Sequence, residues 1–240
     1  MGYVRAADTI DLVVGDAGGL EWAQQQVAAH HYLRTRVDTR CRPLALIVTY
    51  RGERAGCLIW GRPEATRCYD GGLTYGSQAD VAAGRAQFDR WEVIALARVW
   101  LDPRLQAGGA WCRPGEVPGY TDRRGAFRST LATSLLSIGS LLITQAYLLR
   151  YPPCYLDEPY LLRAALSYCD TRVHRGTIYR AAEWQRARVN DDSIETWWRP
   201  LPATPEPWDA DIRRAAEQSL RSRTYRARRA ADATQERMPL

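Results

Sequence analysis

Apolar residues in the first hundred positions form short runs that predict strands separated by turns, with one early helix. Residues 10–14 predict a first strand, and residues 20–29, which follow two glycines, have the apolar spacing of a helix. Residues 43–50 and 55–60 are rich in β-branched and aromatic residues and are separated by a polar turn, which predicts a hairpin. Residues 91–101 predict a further strand.

A long apolar helix is predicted in the second half of the chain. Apolar side chains recur at helical spacing through residues 131–149, and the preceding residues 102–126 are rich in Gly, Pro and Arg. Residues 161–168 predict a buried strand and residues 176–184 a short helix. This order of elements predicts an α/β fold in which a mixed central β-sheet is flanked by helices.

The two strands on either side of the long helix predict where a ligand binds. A strand, a helix and a second, parallel strand leave a crevice at the carboxyl ends of the two strands. The downstream ends of 91–101 and 161–168 carry Arg98 and Asp170. We therefore expect the chemistry of the protein at this edge of the sheet.

The end of the chain differs in composition from the rest. Four prolines in residues 199–208 predict a linker that follows a catalytic domain of residues 1–198. Residues 209–240 predict a basic helical tail, because 210–231 is helix-prone and carries seven Arg against two acidic residues. Such a tail is either a solvated basic helix or an arm that binds nucleic acid.

The basic residues of the chain are all Arg. There are 33 of them against 27 acidic residues, which gives a formal net charge of +6. A GC-rich coding sequence replaces Lys by Arg throughout a chain, whereas a phosphate-binding surface favours the planar guanidinium with its five donors. The net charge suits a polyanionic partner, and the absence of Lys excludes a lysine Schiff base or general base from the chemistry.

Neither a membrane span nor a cysteine framework is predicted. Residues 131–149 include Ser, Thr, Gly and Gln, so they predict a buried helix and no membrane partner. The first residues lack the apolar core of a signal peptide, which predicts a cytoplasmic protein. Six cysteines without a CxxC pair argue against a zinc ribbon, and the expected cytoplasmic address argues against disulfides.

Several short motifs follow one another between about residues 20 and 186. They are His30-His31-Tyr32-Leu33, Gly56-Cys57-Leu58-Ile59-Trp60-Gly61, Ala97-Arg98-Val99-Trp100-Leu101, Ser167-Tyr168-Cys169-Asp170, and the segment from His174 through Gly176-Thr177-Ile178-Tyr179 to Trp184. In type and order these motifs resemble the Mom family of bacteriophage DNA-modification proteins. One such motif alone is weak, and their shared order is what makes the resemblance specific.

The resemblance to the Mom family implies a function and a fold. It implies a fold like that of the GCN5-related acetyltransferases and an enzyme that places a carbamoylmethyl group on N6 of adenine, which protects phage DNA from host restriction. It also implies the cytoplasm of a host bacterium as the place of action. By resemblance, Tyr32, Arg98 and Asp170 are active-site residues, and Ser134 of the central helix joins them.

The resemblance further implies bound iron. A set of ligands is available in His31 or its neighbour His30, Tyr32, Asp170 and His174, since two histidines and one carboxylate suit ferrous iron. Each residue also has a structural alternative. The histidine pair caps a helix end, Tyr32 is a core aromatic, Asp170 caps the following turn, and His174 binds backbone.

Two departures from the expected motifs affect cofactor and site. The acetyltransferase fold binds the coenzyme A pyrophosphate through a Q/R-x-x-G-x-G/A loop before the central helix. Here Asp122-Arg123-Arg124-Gly125-Ala126-Phe127 stands in that place, which argues against acetyl-CoA as a cofactor. The Asn-Trp that commonly ends the last motif is Glu183-Trp184, so a role of that Asn does not transfer.

A double-stranded DNA partner requires that the target adenine leave the base stack, because N6 is paired inside the duplex. Aromatic side chains would hold the extruded base, and arginines would hold the flanking phosphates. The candidates for base binding are Trp60, Tyr75, Tyr168 and Tyr179, and those for phosphate binding are Arg34, Arg36, Arg40 and Arg42. The oligomeric state stays open, a dimer included.

Arg98 lies within an apolar strand, where an unpaired guanidinium would be costly. It is therefore expected to bind an anion. Either it orients the donor or a DNA phosphate, or it forms a structural ion pair with Asp170 or Glu92.

Two further classes of protein fit the same sequence. One is a conventional acetyl-CoA-dependent N-acetyltransferase, against which the altered pyrophosphate loop counts. The other is a DNA-binding protein without catalysis, which would account for the basic tail but not for Tyr32 and Asp170.

Overall fold

The computed structural model of the protein describes residues 3–7, 9–65, 67–70, 72–151, 161–189 and 193–202. The helices are α1 (Ala17–His30), α2 (Gln78–Ala82), α3 (Leu131–Arg150) and α4 (Thr177–Ala181). The strands are β1 (Tyr3–Ala7), β2 (Ile10–Val14), β3 (Leu44–Tyr50), β4 (Glu53–Gly61), β5 (Cys68–Asp70), β6 (Leu73–Gly76), β7 (Phe88–Asp89), β8 (Val93–Leu101), β9 (Gly119–Thr121), β10 (Phe127–Ser129), β11 (Ala164–Asp170), β12 (Gln185–Val189) and β13 (Ile194–Pro200).

An eight-stranded sheet forms the centre of the fold, in the order β1-β2-β3-β4-β8-β11-β13-β12. Neighbouring strands are antiparallel except for β8 and β11, which are parallel and are connected through α3. The predicted α/β fold with a mixed central sheet and flanking helices is therefore confirmed. The predicted strand pair around the long helix is the parallel pair β8–β11.

The two faces of the sheet are covered by different helices. In β3, Leu44 and Leu46 point to the core that contains α3, whereas Ala45 and Ile47 point to the core that contains α1. Because successive side chains of a strand alternate between faces, a strand covered on both sides reads as a continuous apolar run. This is why residues 43–50 show no alternation.

Two buried hydroxyl groups of α3 form hydrogen bonds within the helix itself. The hydroxyl of Ser140 donates to the carbonyl of Leu136 at 2.6 Å, and that of Thr144 donates to the carbonyl of Ser140 at 2.7 Å. Among the described residues α3 is the one helix long and apolar enough to cross a membrane. However, 56% of its most apolar window is buried against the rest of the fold, as in the core helix of a globular domain.

Two smaller sheets complete the described structure. β5, β6 and β7 form one of them, and its Leu73 and Tyr75 pack against β8 and β11 through Ala95 and Leu166. β9 and β10 form a separate hairpin between β8 and α3. Most of the predicted linker (199–208) and all of the predicted tail (209–240) lie outside the described residues.

Candidate active site

A single extra residue in β8 opens a cleft in the middle of the sheet. Ile59 of β4 pairs with Arg98 and Trp60 with Leu96, so Ala97 is a β-bulge that faces no residue of β4. The parallel pairing of β8 with β11 stops at the same level, at Leu96 and Ser167. Beyond this pair the two strands continue without pairing to each other, and their carboxyl ends separate.

The separated strand ends enclose a cavity of about 610 Å³, which is within the size range of small-molecule sites. Its walls come from the end of α1, the second half of β8, the end of β11, the turn before α4 and the first turn of α3. Its lining includes His31, Tyr32, Arg98, Tyr168, Asp170, His174 and Tyr179, all of which are predicted site residues. The structure thus brings together residues that are separated by as much as 148 positions in the chain.

Three of the residues predicted for catalysis and base binding do not line this cavity, and neither do the four arginines predicted to bind phosphate. Ser134 lies in α3 and does not line it. The side chains of Trp60 and Tyr75 are 0% exposed, each within an apolar cluster, so a nucleobase reaches neither ring.

The four arginines predicted to bind DNA follow the cavity wall along the loop after α1. Arg36 forms an ion pair with Glu21 at 3.0 Å, and Arg40 is bound to Asp38. Arg42 lies 6.0 Å from the ring centre of Tyr151. Arg34 is exposed and its side chain has no partner among the described residues. Their contact with DNA stays a prediction.

His31 and Tyr32 enter the cavity where α1 ends. The backbone N–H of Leu33 donates to Nδ1 of His31 at 3.2 Å, and burial, followed by the charge of Arg98, lowers the pKa of His31 to about 4. His31 is therefore neutral near pH 7, and because Nδ1 accepts, its proton is on Nε2. The ring of Tyr32 lies 4.4 Å from that of His31, and burial together with Asp170 raises the pKa of its hydroxyl.

Arg98 forms an ion pair with neither Asp170 nor Glu92, which was the structural alternative to an anion-binding role. Its guanidinium donates to the carbonyl of Ala97 at 2.7 Å and to the hydroxyl of Thr35 at 3.1 Å. Its Nε is buried and has no hydrogen-bond partner among the described residues. The two carboxylates are engaged elsewhere, as Asp170 binds Arg172 and Glu92 binds Arg163. Arg98 thus lines the cavity as a partly satisfied cation.

Asp170 is held by an arginine two residues further on. One carboxylate oxygen accepts from the backbone N–H of Arg172 at 2.9 Å and from its Nε at 3.0 Å, and the other accepts from its terminal nitrogen at 2.8 Å. These bonds lower the pKa of Asp170. The main-chain carbonyl of Asp170 accepts from the N–H of His174 at 2.8 Å. Asp170 therefore shapes the turn that carries His174 into the cavity.

His174 faces Tyr32 across the cavity, with 5.4 Å between the ring centres. No described residue forms a hydrogen bond with its ring nitrogens. The following Gly176 has φ +64°, and a Cβ there would stand 2.7 Å from the ring of Trp197. A glycine is thus required between His174 and α4.

Ser167 and Tyr179 form a buried hydrogen-bonded pair at the base of the cleft. The hydroxyl of Ser167 donates to the carbonyl of Leu96 at 2.9 Å, so its single proton is used there. Tyr179, 3.0 Å away, must then donate to Ser167. Burial raises the pKa of Tyr179 to about 12. This pair fixes the point at which β8 and β11 separate.

Arg172 and Ser167 contribute to the site but were not among the predicted site residues. Ser167 belongs to the motif that ends at Asp170, and an Asp-x-Arg spacing marks Arg172. The same spacing occurs at Asp38–Arg40 and Asp102–Arg104, where the carboxylate binds the arginine in the same way.

Comparison with known proteins bears on the fold. No protein-family model matches the sequence, and no curated protein matches it. Among solved structures, a RimL ribosomal L7/L12 alpha-N-protein acetyltransferase is 11% identical, with a TM-score of 0.41, over 85% of this chain and 100% of that one. The GNAT domain of S. lividans PAT is 11% identical, with a TM-score of 0.44, over 83% of this chain and 96% of that one. AAC(6')-Ib is 11% identical, with a TM-score of 0.43, over 80% and 94% of the two chains. These are likenesses of fold alone, and the proteins concerned are acetyltransferases.

The predicted cofactors, iron in place of acetyl-CoA, are wrong. No group of three or more His, Cys, Asp or Glu within the described ranges is placed to hold a metal ion. The physical reason is that two of the expected ligands are already engaged, Nδ1 of His31 by Leu33 and both oxygens of Asp170 by Arg172. Of the solved structures of similar fold, one RimL acetyltransferase is in complex with coenzyme A, and AAC(6')-Ib is in complex with acetyl-CoA.

Proposed function

We propose that the protein is a group-transfer enzyme that takes an acyl group from acetyl-CoA and passes it to an amine in the cleft between β8 and β11. The observation that carries this proposal is the convergence of Tyr32, Arg98, Asp170 and His174 on one cavity at the carboxyl ends of two parallel strands. Such strand ends are a preferred place for ligands in α/β sheets.

The residues of the cleft fit a phosphate-containing donor. Ala132 in the first turn of α3 lines the cavity, and that turn contains no acidic residue. The amides and the dipole at the start of this long helix favour an anion there. Arg98 and Arg175 line the same cavity. Asp122, which argued against the coenzyme in the sequence, lies in a hairpin and does not line the cavity.

The side chains provide the proton transfers that acyl transfer requires. Acetyl-CoA supplies an acyl carbon bound to a sulfur that leaves as a thiol. His174 is the general base that takes the proton lost by the acceptor amine, since imidazole suits this role near neutral pH. Tyr32 keeps its proton, because its pKa is raised, and donates it to the leaving sulfur. His31 also lines the cavity, and in this proposal its Nε2–H donates to the acyl oxygen.

We propose that the acceptor is the N6 amine of adenine in DNA. This is supported by the resemblance to the Mom family, whose implied residues Tyr32, Arg98 and Asp170 share the cavity. It is also supported by two exposed aromatic rings at the cavity, since Tyr32 is 38% and Tyr168 is 45% exposed. Exposed tyrosines at a cavity can stack on an extruded base. A simple acyl transfer would leave an acetyl group on N6, whereas the resemblance implies a carbamoylmethyl group.

The test uses the full-length protein, duplex DNA and acetyl-CoA. Thiol release is followed in solution, and the nucleosides of the digested DNA are analysed by mass spectrometry, which separates the two possible products by mass. DNA from bacteria that express the protein is analysed in the same way. Modified deoxyadenosine with thiol release supports both parts of the proposal.

Asp170→Asn is the informative variant, because Asn keeps the backbone bond to Arg172 but loses the charge. We expect about a 100-fold loss of transfer with little change in DNA binding, because the weakened contact with Arg172 displaces the turn that positions His174. Asp102→Asn is the matched control, since Asp102 binds Arg104 in the same way but does not line the cavity, and it should stay within about twofold of wild type. Thiol release with a small amine but not with DNA would contradict the proposal that DNA is the acceptor. No thiol release with any amine would contradict the proposal that the protein is an acyltransferase.

A further inference from the structure

The hairpin formed by β9 and β10 is inserted between β8 and α3 and pairs with no other strand among the described residues. An isolated two-stranded hairpin is marginally stable in water. Here it is anchored at its base, where the N–H of Thr130 donates to the carbonyl of Pro118 at 2.8 Å and the ring of Phe127 packs against the main core. The hairpin therefore projects from a fixed base next to the first turn of α3.

The tip of the hairpin is held in one conformation by Asp122. The N–H of Asp122 donates to the carbonyl of Ala126, and the N–H of Gly125 donates to the carbonyl of Asp122, both at 2.9 Å. One side-chain oxygen of Asp122 accepts from the N–H groups of Arg124 and Ala126 at 2.9 and 3.0 Å. Gly125 has φ +77°, a conformation that favours glycine.

The same aspartate is the one acidic side chain of residues 119–129, and it is neutralised within the hairpin. Its second oxygen accepts from Nε of Arg128 at 2.9 Å. Arg123 and Arg124 at the tip are exposed, and their side chains have no partner among the described residues. The tip thus presents two adjacent cations from a backbone that is already ordered.

The outward face of the hairpin is basic and aromatic. Tyr120 pairs across the strands with Arg128, and both side chains are exposed, Tyr120 by 59%. Phe127 on the opposite face supplies the contact with the core. The exposed side chains of the hairpin take no part in the core, so core packing does not explain why they are basic and aromatic.

We propose that this hairpin binds the phosphates of DNA next to the target base, through Arg123 and Arg124. The inference rests on the proposed DNA acceptor. Duplex DNA carries one negative charge per about 1.7 Å of its axis, so two adjacent arginines can each contact a phosphate. The ordered tip loses little conformational entropy on binding. The three residues of β10 extend about 10 Å from the anchored base, and none of residues 119–129 lines the cavity, so the tip is free to contact backbone beside a base held there.

The test compares Arg123→Ala/Arg124→Ala with wild type in the full chain, by DNA binding as a function of salt. Each lost phosphate contact lowers the slope of log affinity against log salt by about 0.9, so the double variant should lose about 2 from the slope. Between 50 and 200 mM salt, its affinity should therefore fall roughly tenfold less than that of wild type. Arg123→Lys/Arg124→Lys should keep most of the slope, because Lys also binds phosphate as a cation.

The matched control is Arg54→Ala/Arg150→Ala, which removes the same charge from residues that do not line the cavity and are not in the hairpin. It should change the slope by less than half as much. The KM for acetyl-CoA with deoxyadenosine as the acceptor should be unchanged in the hairpin variant.

Three outcomes would overturn the inference. The first is that the hairpin variant has the thermal stability of wild type and an unchanged slope of log affinity against log salt, while the wild-type protein modifies DNA. That result would leave the proposed function intact. The second is a raised KM for acetyl-CoA without a change in slope, which assigns the hairpin to the coenzyme. The third is that the wild-type protein neither binds nor modifies DNA. That result would also contradict the proposal that DNA is the acceptor.

Discussion

The two halves of the parallel strand pair β8–β11 differ sharply although the residues of β8 are apolar almost throughout. In the first half, residues 93–96 pair with 164–167, and no side chain of 93–96 is more than 5% exposed. In the second half, β8 and β11 do not pair with each other, which concerns residues 97–101 and 168–170. All of residues 97–101 are half-buried. The bulge at Ala97, in the pairing of β8 with β4, lies at the boundary between the two halves.

The polar residues follow the same division. In the paired half, the polar side chain of Ser167 is fully satisfied by Leu96 and Tyr179. In the unpaired half, Arg98 keeps a buried Nε without a partner among the described residues, and Tyr168 is exposed. The comparison shows that the site lies where the pairing between β8 and β11 ends. This point is next to the extra residue Ala97 of β8.

Deletion of Ala97 should have the largest effect. It would remove the bulge and leave β8 regularly paired with β4, since Leu96 and Arg98 already face the consecutive residues Trp60 and Ile59. The local bend of β8 at the point where it separates from β11 would be lost, which displaces Arg98 in the cleft. We expect transfer to fall by about 100-fold or more, as measured by thiol release from acetyl-CoA.

The control for this deletion is Ala97→Gly, which keeps the residue count and should keep most of the activity. Thermal unfolding shows whether the deletion variant folds. If it does not, Arg98→Gln tests the same point, because it removes the cation from the cleft without changing the register. If a folded deletion variant transferred at nearly the wild-type rate, the bulge would not be needed for the activity of the site.

The strands that line the cleft could be predicted from the sequence, because their apolar runs are distinct. The bulge could not, since the run from Val93 to Leu101 reads as one continuous strand and an extra residue leaves no pattern in it. β13 was also missed, although it pairs with β11. Its sequence mixes Trp with charged residues, and its partner β12 is rich in Arg.

The site could be predicted in part. Residues in the quoted motifs, such as Tyr32 and His174, line the cavity, whereas Trp60 of another quoted motif is buried in the core. Apolar neighbours do not distinguish an aromatic ring in the core from one at a cavity. Of the two alternatives for Arg98, the ion pair with Asp170 is absent because Asp170 binds Arg172 two residues further on, and this local contact outcompetes a distant one.

Removing the hydrogen bond between Ser167 and Tyr179, in the paired half, should lower the unfolding free energy by an intermediate amount. Ser167→Ala leaves the hydroxyl of Tyr179, a residue only 8% exposed, without this acceptor, which should cost about 1 to 3 kcal/mol of unfolding free energy. Tyr179→Phe leaves Ser167 bonded to Leu96 and should cost about 1 kcal/mol. Denaturant unfolding of both variants and of the double variant gives the coupling energy. Strictly additive losses would show that the two hydroxyls do not stabilise each other.

The smallest expected effect concerns His31, in the unpaired half, and the pH dependence of stability. The pKa of His31 is lowered to about 4 in the folded protein, whereas an unfolded chain takes up this proton near pH 6.5. Between these values the unfolded state binds more protons, so stability should fall as the pH is lowered from about 6.5 toward 4. His31→Asn keeps an acceptor for the N–H of Leu33 but cannot be protonated, so its unfolding free energy should depend less on pH in this window. His30→Asn is the matched control, since His30 lies outside the cavity lining, stacked on Trp100. Equal flattening by the two variants would show that burial at the cleft is not what keeps His31 neutral.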